Sequence, residues 1–422
     1  MAVTAGWQIR ADWLELDGLS AGDYAMTRPL SRPRPPTMPH LPGNSSLRSE
    51  FENHFQIQLR RGCGWLVGLS LGCAPLALPD GERRVALRGA TEQVIVPTYT
   101  QLAQRTAELA SLLDALASAP TDADLVAIRQ SYLDARAPLQ ESAAFGFGPA
   151  EELHAVAAMD QSPIDPAKVD AELASANDLT PEHLRALGAN KRGLHAIEYL
   201  LFPDRDPNVD AALTARDLAG QRRRQFASVA GQLVADSAEA LRAAWDPEMG
   251  GYARRFDEPG GPDSVSSSVQ AGLDTLLNET VVLSELIVKA KLGKPLGTAT
   301  GGKLEPAAQE SERAGASLSD IASNVRGIRH IYFGARRGSA EPNLASLVRA
   351  KSPSADLHAR AALDAADAAL GAVPGSLTQA LGDAPETVTA AYEAIKALKR
   401  VLATEVLSSL GASLKFSDND GD

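Results

Sequence analysis

Cysteine is nearly missing from this chain. Its two cysteines, Cys63 and Cys73, share one apolar run near the N-terminus, so the rest of the protein has no disulfide framework and no thiolates for a zinc site. An excess of basic charge is missing as well. With 41 Lys and Arg against 53 Asp and Glu, the net charge of −12 argues against nucleic acid as a partner, because phosphate binding draws on clustered cations. A long hydrophobic run is also lacking. Residues 62–78 are apolar but broken by Gly and Pro, and a membrane-spanning helix needs about 20 uninterrupted residues. Peptidase signatures are missing too: His-Glu-x-x-His occurs nowhere, and Tyr199 rather than a histidine follows Glu198. From Gly89 onward there is neither a Gly-x-Ser-x-Gly elbow nor a cysteine nucleophile.

What remains is an Ala- and Leu-rich chain with helical periodicity from Thr91 onward. Val94, Tyr99 and Leu102, then Leu109, Leu112, Leu113 and Leu116, recur at helical spacing. Pro120-Thr121-Asp122 ends that helix and caps the next, whose stripe is Leu125, Ile128, Tyr132 and Ala135. Thr180-Pro181-Glu182 is a further start signal. A long helix is expected from about Asp210 to Trp245, and loops are expected at 258–262 and 293–302. Alternation at strand period is rare, so the fold class is all-α.

The ends read differently. Residues 1–59 include a Pro-rich tract between Arg28 and Pro42 that favours extended chain, and are expected to be a disordered tail or a leader upstream of the true start. Residues 60–79 pair Arg60-Arg61 with an apolar core and Gly72-Cys73, the pattern of a bacterial lipoprotein export signal, with Ser70 where Leu is usual. Cys73 is thus the expected lipid anchor, and the functional body is expected to begin near Gly89. The acidic tail, 413–422, is too short for a calcium loop.

The most informative segment runs from Lys191 to Phe202. His195 and Glu198 are three residues apart, on one face of an otherwise apolar helix. Burying a polar group without a partner costs roughly 2–7 kcal/mol, so something must satisfy both. A hydrogen-bond network, a bound polar ligand and a metal ion all fit. Ferritin-like bundles present iron ligands as Glu-x-x-His, and the reversed order at the same spacing is chemically workable. Imidazole with carboxylate suits iron, zinc, copper or manganese better than calcium. Gly193, beside the histidine, marks either a close backbone approach or the helix start.

Gly193-x-His195-x-x-Glu198 followed by Tyr199-Leu200-Leu201-Phe202 resembles the signature of the imelysin family, which is also classed among the peptidases and includes iron-linked proteins of the bacterial envelope. Tyr132, Arg136, Pro138, Glu141 and the run Phe145–Pro149 resemble an upstream block of that family. Glu310-Ser311, Asp320 and the stretch from Gly327 to Gly334 resemble a second-half block, so the resemblance covers about residues 88–410. It implies two four-helix-bundle-like halves, taken here as 88–205, carrying the motif, and 206–412. It also implies a metal or metal-complex site at their junction, with iron favoured and zinc or copper compatible.

The expected ligands are His195 and Glu198, completed by Glu141 and then Glu310. Arg136 and Asp320 would support them, Arg136 by orienting a carboxylate or an anionic ligand. His154 and His330 are expected to be structural or surface histidines. The expected function is metal binding on the periplasmic side, in iron uptake or handling and without enzyme activity, with other iron-uptake envelope proteins as partners. The alternatives are an atypical metallopeptidase and a purely structural or interaction protein.

Overall fold

The computed structural model describes residues 80–116, 120–203 and 207–414, and among these every regular element is helical. The export-signal region, Cys73 and most of the acidic tail lie outside the described residues. The major helices are α1 (Asp80–Ala90), α2 (Val96–Ala115), α3 (Asp122–Ser142), α4 (Leu194–Leu201), α5 (Leu218–Trp245), α6 (Val269–Leu286), α7 (Ser317–Phe333), α8 (Pro353–Gly371) and α9 (Pro385–Val401).

Local chemistry explains the boundaries. In α2 the buried residues Tyr99, Leu102, Thr106, Leu109 and Leu113 form one stripe at spacings of three and four, whereas Leu112 faces solvent. Between α1 and α2 the helix is π-wound over Thr91–Ile95, just before Pro97, whose ring removes a backbone donor. Thr121 starts α3 with a capping box: its hydroxyl accepts from Asp124 N, and the Asp124 carboxylate accepts from Thr121 N at 2.8 Å.

Two rings of four helices result. One is closed by α2, α3, α4 and α5, the other by α6, α7, α8 and α9, and α3 against α7 joins them. Where those two helices cross, Gly327 lets the backbones meet: a Cβ there would lie 2.2 Å from the Glu141 carbonyl oxygen.

Three expectations are corrected by this packing. The body begins by Asp80 rather than near Gly89, since α1 buries Ala86, Leu87 and Ala90 and packs on α6 of the second ring. The helix expected from Asp210 to Trp245 is two, Val209–Thr214 and α5, because Asp217 caps a fresh start by accepting from Gly220 N. Finally, a division at 205/206 does not follow the packing. Helix α5 lies along α2 and α4, so the first ring extends to Trp245.

Candidate metal site at the junction of the two rings

The site begins with a glycine. Gly193 caps α4 with φ +81°, a backbone conformation that disfavours any side chain, and a Cβ there would lie 2.7 Å from the Met159 carbonyl oxygen. Close approach and helix start are therefore the same feature. The contact brings the end of the short helix Ala155–Asp160 beside the first turn of α4, and with it the Asp160 carboxylate.

His195 and Glu198 share a face of α4 as their spacing requires. His195 Nδ1 and Glu198 Oε2 are 2.8 Å apart, and both side chains are about 3 % exposed. Glu198 Oε1 accepts from Ala314 N at 2.9 Å, which ties the motif helix to the loop before α7. On its other side, His195 Nε2 is 3.2 Å from Asp160 Oδ1. That is ion-pair distance without the directionality of a hydrogen bond, so Nε2 remains a buried nitrogen with no hydrogen-bond partner.

Arg136 is the hub. Its guanidinium is almost fully buried and donates to Asp320 from Nε and Nη2 (3.0 and 2.7 Å) and to Asp160 Oδ1 from Nη1 (2.8 Å). Ser311 Oγ donates to Asp320 Oδ2 at 2.6 Å. A second branch leaves Asp160: Gln140 Nε2 donates to Asp160 Oδ2 at 2.7 Å, and Gln140 Oε1 accepts from Lys291 Nζ at 2.9 Å. Lys291 in turn pairs with Glu310 at 2.8 Å. Lys291 sits on the π-wound segment Ile287–Leu292 that extends α6, a local irregularity that carries this lysine into the junction.

The electrostatics follow from this wiring. Burial alone would push the His195 imidazole down, but Asp160 and the hydrogen bond with Glu198 outweigh it, and its pKa is raised. Burial likewise opposes ionisation of Asp160, yet Arg136, His195 and Lys291 hold its carboxyl below the usual range. Tyr132, buried beside Arg136, is pushed well up by its desolvation.

A small pocket of about 130 Å3 opens onto this wiring, lined by His195, Glu198, Glu310, Glu312 and Arg313 among others. The sequence-derived residues therefore separate. His195, Glu198 and Glu310 meet at the pocket, with Gly193, Arg136 and Asp320 behind them. Glu141 does not join them. Its carboxylate faces Arg326, Arg336 and His330 at a different groove, which corrects its place in the expected ligand set. The physical reason is helical phase: Glu141 is five residues beyond Arg136 on α3, which puts it about 140° around the helix from it. His330, expected to be structural or on the surface, is mostly buried beside Glu141, while His154 is exposed. Sequence reasoning missed Asp160, Gln140, Lys291 and Ser311. Only Ser311 had a signal, its place beside Glu310.

Among the described residues, no three His, Cys, Asp or Glu side chains converge closely enough to enclose an ion as they stand. Imidazole and carboxylates still suit a transition metal, as two donors on one helix face with a third, Glu310, in the same pocket wall.

The imelysin family model matches residues 95–404. Iron-regulated protein A of Synechococcus elongatus is 27 % identical over 302 residues, which is 69 % of this chain and 77 % of that protein. Two solved structures share the fold. One, from Parabacteroides distasonis and described as an iron-regulated protein A precursor, has a TM-score of 0.71 at 20 % identity and covers 80 % of this chain and 97 % of its own. The other, an imelysin-like protein from Psychrobacter arcticum, has a TM-score of 0.64 at 17 % identity, covering 80 % and 98 %. With its motif helix, its paired helical rings and a family match over most of its length, this chain belongs to the imelysin family.

Proposed function

We propose that the protein binds a metal ion or metal complex at the ring junction, serving iron uptake or handling in the bacterial cell envelope, without enzyme activity. The formal charge of the cluster at the junction carries this reading. Asp160, Glu198, Glu310 and Asp320 are four carboxylates set against two basic side chains, Arg136 and Lys291. With His195 neutral the cluster holds about two negative charges, which a divalent cation would offset. With His195 protonated it holds one. His195 and Glu198 would be the donors, with Glu310 a third once it leaves Lys291. A cation that brings some of its own ligands suits such an incomplete set. Iron is favoured by the name of the curated relative, while the donor chemistry also accepts zinc or copper.

One observation favours a second reading, a closed polar network that holds the two rings together. Each of the four acids already has a partner, and no three ligands converge among the described residues. Metal analysis and calorimetry on the full chain decide between them, using Fe(II), Zn(II) and Cu(II) with wild type and His195→Ala. The metal reading expects binding by wild type and at least about tenfold loss in the variant, about 1.4 kcal/mol. A variant that keeps its helical circular dichroism and binds all three metals like wild type would sink it. Cleavage of a denatured protein by wild type and not by the variant would replace it with the peptidase reading.

No helix among the described residues is long and apolar enough to cross a membrane. Envelope placement therefore rests on the export-like segment at Arg60–Cys73, and mass spectrometry of the mature N-terminus tests it. A mature chain retaining Met1 would end the lipoprotein idea.

A further inference from the structure

A second polar feature lies away from the His195 pocket. An open groove of about 950 Å3 runs between the start of α2 and the end of α7. Four guanidiniums line it, those of Arg105, Arg326, Arg336 and Arg337, and its carboxylate is Glu141. The groove thus carries about three positive charges on a chain of net charge −12. Counting Glu108, which pairs with Arg105 at the rim at 2.8 Å, still leaves two. Concentrated charge of the minority sign in a concave surface focuses potential on whatever enters it.

The arginines are also positioned. Glu141 is 5 % exposed and accepts from Arg326 Nη1 at 2.9 Å on Oε1 and from Arg336 Nη2 at 3.3 Å on Oε2. Gln101 Oε1 takes a further hydrogen bond from Arg336 Nη2. One buried carboxylate therefore fixes two guanidiniums from different parts of the chain, α7 and the turn after it. A guanidinium has five N–H donors, and these contacts use only a few. Arg337 is exposed beside them and has no carboxylate partner among the described residues. His330 supports the same picture. Its Nδ1 is buried without a hydrogen bond, 3.6 Å from Glu141 Oε2. Burial, with Arg336, Arg326 and Arg329, pushes its imidazole below the ordinary value against the opposing pull of Glu141.

We propose that this groove binds a small organic or inorganic anion bearing at least two oxyanion groups, with Arg326 and Arg336 as paired recognition forks and Arg337 as a third contact. Guanidinium forks match carboxylate and phosphate oxygens two at a time, so a multivalent anion gains from several at once while a monovalent one does not. Glu141 is a positioning residue here. The inference does not rest on the metal reading, because the groove shares no residue with the His195 pocket.

The test is calorimetry on the full chain with citrate, pyrophosphate and acetate at low and high salt. Citrate or pyrophosphate should bind saturably, at least about tenfold tighter than acetate, and weaken as salt rises. Whichever of the two binds more tightly identifies a carboxylate or a phosphate ligand. Arg336→Ala and Arg337→Ala should each weaken that binding several-fold. Arg254→Ala, an equal charge change on a different surface, should leave it unchanged, and so should His195→Ala. Arg337 is exposed, so its variant keeps the test valid even if Arg336→Ala perturbs folding. The proposal is overturned if neither multivalent anion binds saturably, if acetate binds as well, or if Arg254→Ala costs as much as Arg337→Ala.

Discussion

Asp160 Oδ1 stands 3.2 Å from His195 Nε2, so the imidazole of the motif lies between two carboxylates, Asp160 on one side and Glu198 on the other. Such a flanked imidazole favours its proton. The His195 resonances in an NMR titration should therefore show a pKa above the ordinary 6.5, and Asp160→Asn should bring it down. The sign for stability follows. A raised folded-state pKa contributes stability that is fully present below about pH 6.5 and lost as pH rises through the folded value. Denaturant midpoints measured across this window should fall with pH in wild type, and that fall should be smaller in His195→Gln. No such difference between the two proteins would contradict the flanked geometry.

The same proton competes with a metal for the ring nitrogens. Affinity for Zn(II) or Fe(II) should rise with pH through the raised pKa of His195, with proton release visible as a buffer-dependent heat. Affinity that is flat with pH would place the metal elsewhere.

Arg136 holds Asp160 and Asp320 in a region where an uncompensated charge is costly. Arg136→Ala leaves both carboxylates without their main counterion and should cost about 3–5 kcal/mol in chemical denaturation, the range for breaking a buried pair from one side. A loss under about 1 kcal/mol would mean that water reaches this junction freely.

Gly193 should not accept a side chain. Gly193→Ala places a Cβ 2.7 Å from the Met159 carbonyl and forces an L-residue to φ +81°. We expect a loss of about 1–3 kcal/mol from backbone strain. Metal affinity should also weaken, since the displaced Met159–Asp160 segment faces His195. A variant as stable as wild type in a denaturant melt would show that this contact is not tight.

Lys291→Met tests whether freeing Glu310 and removing one positive charge strengthen the site. It removes the cation that Glu310 and Gln140 share and makes the cluster more negative by one charge. If Glu310 is a ligand, this variant should bind Zn(II) or Fe(II) more tightly than wild type in calorimetry. Weaker binding would contradict the charge argument for the site.

Much of this architecture was legible from the chain itself. Helical periodicity and capping signals at Thr121 and Thr180 mark helices because apolar stripes and cap hydroxyls act locally. The i, i+3 spacing of His195 and Glu198 likewise guarantees that they meet, since helix geometry alone sets that distance. Glu141 shows where such reasoning stops. It lies on the same helix as Arg136 and in the block that resembles the family, yet it points to a groove of arginines drawn from elsewhere in the chain.

The sequence by itself determined the all-α fold class, the buried His195–Glu198 pair and the family to which the chain belongs. Tertiary structure alone decided what surrounds that pair. Asp160 reaches His195 through the Gly193–Met159 contact, Arg136 reaches Asp320 across 184 positions, and Lys291 enters from a π-wound segment. These partners are set by how two helical rings dock. Docking depends on side-chain volume and helix phase summed over the whole interface, and no local pattern around the motif records it.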